Sequence, residues 1–450
     1  MTNKPLRKME DIMISRRGHE VSNNFFRFDQ FLISKMLHIS LQKAKEVTEQ
    51  ERYEAYCLCL KQTRGKRFAA TQTIKGWFGI EHFRKPRREA LIQLFFSLEL
   101  SGDESREWMV KGALEPDFQV NDYNELIYLY GLQNHLSYEK CLEMISDFVS
   151  CLSLDTKLKQ HNQTSEIWEN YGRNCHLAPE DFLNWMKSIK DEFKGYSMTV
   201  LNYFKDLKRE ILYEVKLENC QRLEELLSET GFTKTEQGKD YSSESRRRAI
   251  LRYLRKCETG KKEVLSADLI QCIREMLKMS EMSTDSNAKL LLELYENREC
   301  LRLKDNTRHK RGQIRIMDDK YLSEILNIAI QKEEEFYMVI RGESSKEIQK
   351  QKNCSRLINR QDLLPLIMCV SQKRYAREHG DLNYDQIEAR EQFYRLATQI
   401  LTSCDMMPLC PEEFELDAML YQCFEAEEMI PFAEIMAKKM STGGFDDAGA

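Results

Sequence analysis

Apolar residues recur three and four positions apart along most of the 450-residue chain, which is the spacing of one helix face. The pattern predicts a helix from Phe25 to Ala44 and an amphipathic helix from Glu51 to Thr63. The predicted apolar stripe of the amphipathic helix is Tyr53, Tyr56, Cys57 and Leu60. Only 8 Pro and 18 Gly are present, and both residue types interrupt helices. We therefore predict an all-α, multi-domain protein.

Two shorter helices are predicted after a turn at residues 64–67. The first ends at Gly79, and Pro86 is expected at the start of the second, where its missing N–H has no helical partner to lose. Ser101 is followed by Glu104 three residues later, which is the pattern of a capping box. This pair predicts that a further helix begins at Ser101.

A weak internal repeat follows, in which residues 130–142 align with residues 171–183. Tyr, Gly, His, Leu, Glu and Leu stand at matching places in the two segments. Each unit has the pattern of a helix, a corner and a second helix, so the repeat predicts stacked helical hairpins. His135 and His176 occupy equivalent corners, which indicates a structural role such as capping rather than catalysis or metal binding.

The second half of the chain is also helical in pattern. One long helix is predicted from Trp185 to Leu227, and the polar residues 233–245 are predicted to be a linker. A basic helix from Ser245 to Lys256 follows, and it either lies along phosphates or is a solvated face. Its basic stripe is Arg248, Arg252 and Arg255. Residues 297–316 are charged and predict an exposed loop with a second basic segment.

Positive charge is concentrated in one short stretch of an acidic chain. Residues 61–88 contain nine Lys and Arg and a single acid, Glu81, so the stretch carries +8. The whole chain carries −5, which leaves −13 for all other residues. Such contrast favours a polyanionic partner for the basic stretch.

The same stretch resembles the helix-turn-helix domains of bacterial repressors of the Xre, or lambda-repressor-like, type. The resemblance covers about 60 residues and rests on Thr73-Ile-Lys-Gly-Trp77, on Pro86, and on the Leu-rich segment from Arg88 to Ser101. It implies that residues 70–73 enter the major groove of DNA, with Lys75 flanking them and the basic neighbours holding phosphates. The predicted DNA-contacting residues are Lys61, Arg64, Lys66, Arg67, Thr71, Gln72, Thr73, Lys75, Arg84, Lys85, Arg87 and Arg88.

Two functions fit these observations. The first is a DNA-binding transcriptional regulator, which is expected to dimerise because paired half-sites require two copies. The second is a non-enzymatic helical adaptor or scaffold that presents its stacked hairpins to a protein partner. Under the second hypothesis the helix-turn-helix-like segment is a packing module and its basic residues are a solvated face.

Enzyme signatures are absent from the sequence, which has no GxxxxGK[ST], GxGxxG, HExxH or GxSxG motif. The 14 Cys are scattered without a CxxC pair or metal-ligand spacing. We therefore expect no catalytic residues, no metal and no cofactor. The N-terminus lacks the apolar segment of a signal peptide and no apolar run is long enough to span a bilayer, so we expect a cytoplasmic protein without membrane contact.

Two further segments resemble helical proteins of Gram-positive gut bacteria to which no function is attached. They contain Asn121-Asp-Tyr-Asn-Glu and Leu416-Asp-Ala-Met-Leu, within residues 121–148 and from residue 318 onward. The predicted division of the chain is a basic flexible arm at 1–24, a helix-turn-helix-like domain at 25–150, helical hairpins with a long helix at 151–232, a linker at 233–245, basic helices with an exposed loop at 246–317, a C-terminal helical domain at 318–440 and a disordered tail at 441–450.

Overall fold

Every regular element in the described part of the chain is a helix, apart from an isolated antiparallel bridge between Phe424 and Met429. The prediction of an all-α fold is therefore confirmed. The computed structural model describes residues 26–63, 69–156, 158, 164–232, 243–260, 265–281, 285–295, 317–354, 357–380, 384–411, 414–425 and 427–435. The predicted arm at 1–24, the tail at 441–450, and the basic segment at 308–315 lie outside these residues.

Ten α-helices account for most of the N-terminal part of the described chain. They are α1 (Phe28–Leu37), α2 (Leu41–Lys45), α3 (Glu49–Gln62), α4 (Thr71–Trp77), α5 (Arg88–Ser97), α6 (Gly102–Glu107), α7 (Tyr123–Gln133), α8 (Tyr138–Ser150), α9 (Thr164–Asn174) and α10 (Pro179–Ser188). Ser101 and Glu104 cap α6 in the predicted capping box. Pro86 lies two residues before α5 begins, rather than inside its first turn.

Ten further helices follow. They are α11 (Met198–Glu229), α12 (Ser243–Glu258), α13 (Ala267–Ser280), α14 (Asn287–Tyr295), α15 (Asp319–Leu326), α16 (Ile328–Ile340), α17 (Ser345–Cys354), α18 (Arg360–His379), α19 (Gln386–Ser403) and α20 (Glu415–Gln422). The single helix predicted for 185–227 is wrong, because the chain breaks between α10 and α11. Gly195 has a φ of +76° there, and its N–H donates to the carbonyl of Asn121 at 2.7 Å.

Helices α1 to α10 enclose one hydrophobic core that extends from Phe28 to Phe193. Trp108 lies among aromatic neighbours, with its ring centroid 6.0 Å from Phe28, 5.7 Å from Phe31 and 6.2 Å from Phe95. Such edge and tilted contacts add about 0.5–1.5 kcal/mol each beyond the area that they bury. We call this the N-terminal core.

The repeated segments each form two helices joined by a short corner, α7 with α8 and α9 with α10. The two units contact each other at these corners. Tyr130 stacks on Phe182 with centroids 3.8 Å apart, and its hydroxyl donates to the carbonyl of Leu177 at 2.6 Å. Tyr171, the equivalent tyrosine, donates to Gln133 at 2.8 Å. The matched tyrosines therefore join one unit to the other.

A second core is built around α18. The first half of this helix, from Arg360 to Ser371, is buried on all sides. The surrounding apolar residues come from the first half of α11 and from α14, α15, α16, α19 and α20. Helix α16 joins this core to the N-terminal core, since Ile328 is buried in one and Phe336 in the other.

A third, smaller core lies where the second half of α11 packs with α12 and α13. We call these three segments the three-helix module. Residues 216–222 of α11, between the second and third cores, contain no buried residue. Of the predicted linker at 233–245, residues 233–242 lie outside the described chain and residues 243–245 begin α12.

Candidate nucleic-acid interface

Helix α4, which carries the residues predicted to read bases, is held by its apolar side. Ile74 and Trp77 are buried three residues apart, and Phe78, just beyond the helix end, packs edge-on against Tyr56 of α3. Burial of this side turns the opposite side outward. Thr71 and Gln72 are exposed, while Thr73 and Lys75 are partly buried at the margin.

A buried carboxylate fixes the end of α4 to α1 and α3. Asp29 is fully buried and accepts from Arg27 Nε and Nη2, each at 2.7 Å, and from Arg52 Nη1 at 2.8 Å. Arg52 also donates to the carbonyl of Phe78 at 3.2 Å. Hydrogen bonding to Asp29 raises the pKa of Arg27. Two guanidinium groups thus compensate one buried charge and set the angle at which α4 ends.

Glycine is required at the corner that follows. Gly79 has a φ of +71°, and a Cβ there would lie 2.9 Å from both Asp29 Oδ2 and Arg52 Nη1. Gly76 is needed for another reason, because a Cβ would lie 2.8 Å from Cγ of Arg84. The Arg84 N–H donates to the Gly76 carbonyl at 2.8 Å. The loop after α4 therefore folds back across the helix and places Arg84 beside it.

Lys75 projects from α4 towards α3, where its ammonium lies 5.7 Å from the ring centroid of Tyr53. Tyr53 is 50% exposed and Cys57 is also exposed, so the predicted apolar stripe of α3 is wrong at these two positions. The buried face consists of Ala55, Tyr56 and Cys59 instead. Tyr53 lies outside the buried face and supplies an aromatic surface next to a cation, although its helical spacing had predicted a place in the core.

Arg88 turns inward and must be removed from the predicted DNA contacts. Its Nε and Nη2 donate to the two carboxylate oxygens of Glu125, both at 2.7 Å. Its Nη1 and Nη2 donate to the carbonyls of Pro116 and Asp117 at 2.7 and 2.8 Å. Burial alone would lower the pKa of this guanidinium, but Glu125 raises it above the ordinary value. Four of its five N–H donors are used within the fold and its side chain is only 13% exposed, so we do not count it among the cations available to a phosphate.

Two acidic side chains lie among the outward-facing residues. Lys85 is paired with Glu115 at 2.5 Å, and Gln72 donates from Nε2 to Oε2 of Glu81 at 2.8 Å. Both interactions are at least partly exposed, and exposed pairs of this kind contribute about 0–1 kcal/mol. A phosphate or a base edge can therefore replace them at small cost.

The remaining predicted residues fall into two groups. Arg64, Lys66 and Arg67 lie outside the described residues. Lys61, Arg84 and Arg87 are exposed, and none makes an ion pair within the described chain. Arg84 lies beside α4, and Lys61 lies in the last turn of α3. We define the basic surface as Lys61, Lys75, Arg84, Lys85 and Arg87.

The connection between α3 and α4 is longer than a standard helix-turn-helix turn. Helix α3 ends at Gln62 and α4 begins at Thr71, so eight residues separate them. A standard turn contains about three or four residues. Helix α4 itself has 7 residues, or about two turns. The exposure and charge of this region, rather than the turn, are the features that bear on nucleic-acid binding.

Metal clusters and membrane spans are not found among the described residues. No group of His, Cys, Asp or Glu among them could hold a metal ion, and none of their helices is both long and apolar enough to cross a bilayer. Burial raises the pKa of the Cys59, Cys141 and Cys404 thiols to about 12, which disfavours the reactive thiolate. These cysteines behave as small core residues.

No protein-family model, no curated protein and no solved structure matches the chain. The similarity to repressor domains therefore stays a prediction that rests on the residues quoted above.

Proposed function

We propose that this protein is a DNA-binding regulator and that its basic surface contacts the phosphate backbone. The observation that carries the proposal is the exposure of Lys61, Arg84 and Arg87 without ion-pair partners in the described chain. Cations in this state exchange bound water and counterions for phosphates without breaking internal contacts. The acidic remainder of the chain would be repelled by DNA, which favours one orientation on the duplex.

Residues at the outward side of α4 are the proposed base-reading group. Thr71 and Gln72 are exposed and carry side chains that both donate and accept hydrogen bonds. A glutamine amide pairs with adenine in the major groove through two hydrogen bonds. Gln72 must leave Glu81 to do so, and that exchange replaces one exposed hydrogen bond by two. Base contacts would thus follow phosphate contacts and add sequence preference to them.

The expected salt dependence follows from the number of cations. Five phosphate contacts give a slope of log K against log salt of about −4.5. Affinity should then fall by about 500-fold between 50 and 200 mM salt. A protein that binds DNA through apolar or incidental contacts would show a much shallower slope.

The proposal is tested by fluorescence anisotropy with a mixed pool of duplex DNA. The double variant Arg84→Ala/Arg87→Ala should bind more weakly than the native protein, with a slope shallower by about 1.8. The control Lys140→Ala/Arg173→Ala removes the same charge from exposed positions elsewhere in the N-terminal part. Equal effects of the two variants would show that net charge alone attracts DNA and would refute a defined surface.

A second candidate function is a helical adaptor, and it is favoured by the contact between the two repeated units. Tyr130 and Tyr171 join the units at their corners, as expected for stacked hairpins that present a continuous surface. Leu142 is 44% exposed and Leu177 is 36% exposed on these units. Under this alternative, the native protein captures a protein partner and Leu142→Glu abolishes that capture. Neither the native protein nor any variant binds duplex DNA.

A further inference from the structure

Helix α12 has one face packed into a core and an exposed face on which cations outnumber acids. Its buried residues include Ile250, Tyr253 and Leu254, which pack against apolar residues of α11 and α13 in the three-helix module. The sequence places arginines at helical spacing on the other face. Because the apolar face is already covered, only the cationic face remains available to a partner.

The cations of α12 differ in how the fold uses them. Arg246 pairs with Glu224 of α11, and Arg247 pairs with Glu281 at 3.4 Å. By contrast, Arg252, Arg255 and Lys256 are exposed and make no ion pair with any described residue. The three-helix module therefore pairs Arg246 and Arg247 near the start of α12, whereas the cations of its second half have no acidic partner among the described residues.

Two of these uncompensated cations, Arg252 and Arg255, form an ordered stripe with Arg248. Arg248, Arg252 and Arg255 lie within about 60° of one another around the helix axis and extend along about 10 Å of it. Arg248 is held by Glu244 in an exposed pair at 3.1 Å, which costs little to break. One DNA strand presents about three phosphates over the same length. Arginine also matches phosphate geometrically, since its fork donates two parallel hydrogen bonds.

We infer that this stripe is a second contact for the backbone of duplex DNA, in addition to the basic surface. The inference rests on the proposed function for its ligand. A bilayer fits less well, because membrane-surface helices insert an apolar face and that of α12 is buried. Sequence-independent holding of the duplex is the expected role, since arginines that contact phosphates carry no direct base information.

The test measures duplex binding against salt for the full chain and three variants. Arg252→Ala/Arg255→Ala/Lys256→Ala removes the uncompensated cations and should make the slope of log K shallower by about 2.7. Arg246→Ala/Arg247→Ala removes cations that point away from the stripe, towards Glu224 of α11 and Glu281 after α13, and should leave the slope unchanged. The conservative change of Arg252 and Arg255 to Lys should retain most of the slope, which separates loss of charge from loss of structure.

Three outcomes would overturn the inference, and they differ in whether the proposed function survives. An unchanged slope in the α12 triple variant, with loss in Arg84→Ala/Arg87→Ala, removes α12 and retains the basic surface. Binding of phosphatidylserine vesicles but not of duplex DNA by the native protein removes both DNA sites. An equal change of slope in the triple variant and in Arg246→Ala/Arg247→Ala would show that net charge alone causes the effect. A shallower slope in both the triple variant and Arg84→Ala/Arg87→Ala, with no change in Arg246→Ala/Arg247→Ala, supports the inference.

Discussion

Arg88→Gln is expected to destabilise the N-terminal core, whereas the adjacent Arg87→Gln is expected to be neutral. Arg88 makes two hydrogen bonds to Glu125 and one each to the carbonyls of Pro116 and Asp117. Its side chain is 13% exposed and that of Glu125 is 12% exposed. Glutamine cannot replace the charge or reach all three partners, so the Glu125 carboxylate is left poorly compensated.

The size of the effect follows from the burial of the pair. Removing one partner of a buried ion pair typically costs about 3–5 kcal/mol. With a urea dependence of about 2 kcal/mol per molar, the midpoint of unfolding should fall by about 1.5–2.5 M. Arg87 is exposed and makes no ion pair within the described chain, so its change should lie within about 0.5 kcal/mol.

Tryptophan fluorescence is a selective probe for this experiment. The chain has 4 Trp, and all of them belong to or pack against the N-terminal core: Trp77, Trp108, Trp168 and Trp185. Urea unfolding followed by fluorescence therefore reports the N-terminal core rather than the other two. Adding Glu125→Gln to Arg88→Gln should recover about 1–3 kcal/mol, because the stranded charge is removed. Equal stability of Arg87→Gln and Arg88→Gln would refute the structural role of Arg88.

Two further predictions use matched positions. Gly131→Ala should cost about 1–3 kcal/mol in the same urea assay, because its Cβ would lie 2.2 Å from Sγ of Cys141. Gly172→Ala, at the equivalent repeat position, meets no atom within 4 Å and should be neutral or stabilising by up to about 1 kcal/mol; the reverse order would contradict the packing. Cys57 is exposed and should be alkylated quickly by iodoacetamide, whereas Cys59 is buried with a pKa raised to about 12 and should react only on unfolding, as peptide mass spectrometry would detect.

Local signals in the sequence predicted local structure well. Ser101 and Glu104 were expected to form a capping box, and both hydrogen bonds are present. The scarcity of Pro and Gly predicted helices, and helices account for the regular structure of the described chain. These successes share a cause, since the interacting residues are only a few positions apart.

Features that depend on residues far apart in the sequence could not be predicted from the hydrophobic pattern. Arg88 was placed with its exposed neighbours, but its partner Glu125 lies 37 residues away in the sequence. The break before α11 was hidden because Phe193 and Val200 keep helical spacing across it. Tyr53 was predicted to lie in the core because its spacing fits an amphipathic stripe on α3. The face that is buried is centred on Ala55 instead, because that face packs against α1 and α4.

The central claim is that the basic surface holds duplex DNA through its phosphates. The most direct test is a titration of the native protein with a mixed duplex pool at about 50 and 200 mM salt, followed by fluorescence anisotropy. The account predicts binding at the lower salt concentration and a slope of log K at least as steep as about −4.5. Absence of binding at the lower concentration would contradict the account, and the stacked repeats would then become the first surface to examine for a protein partner.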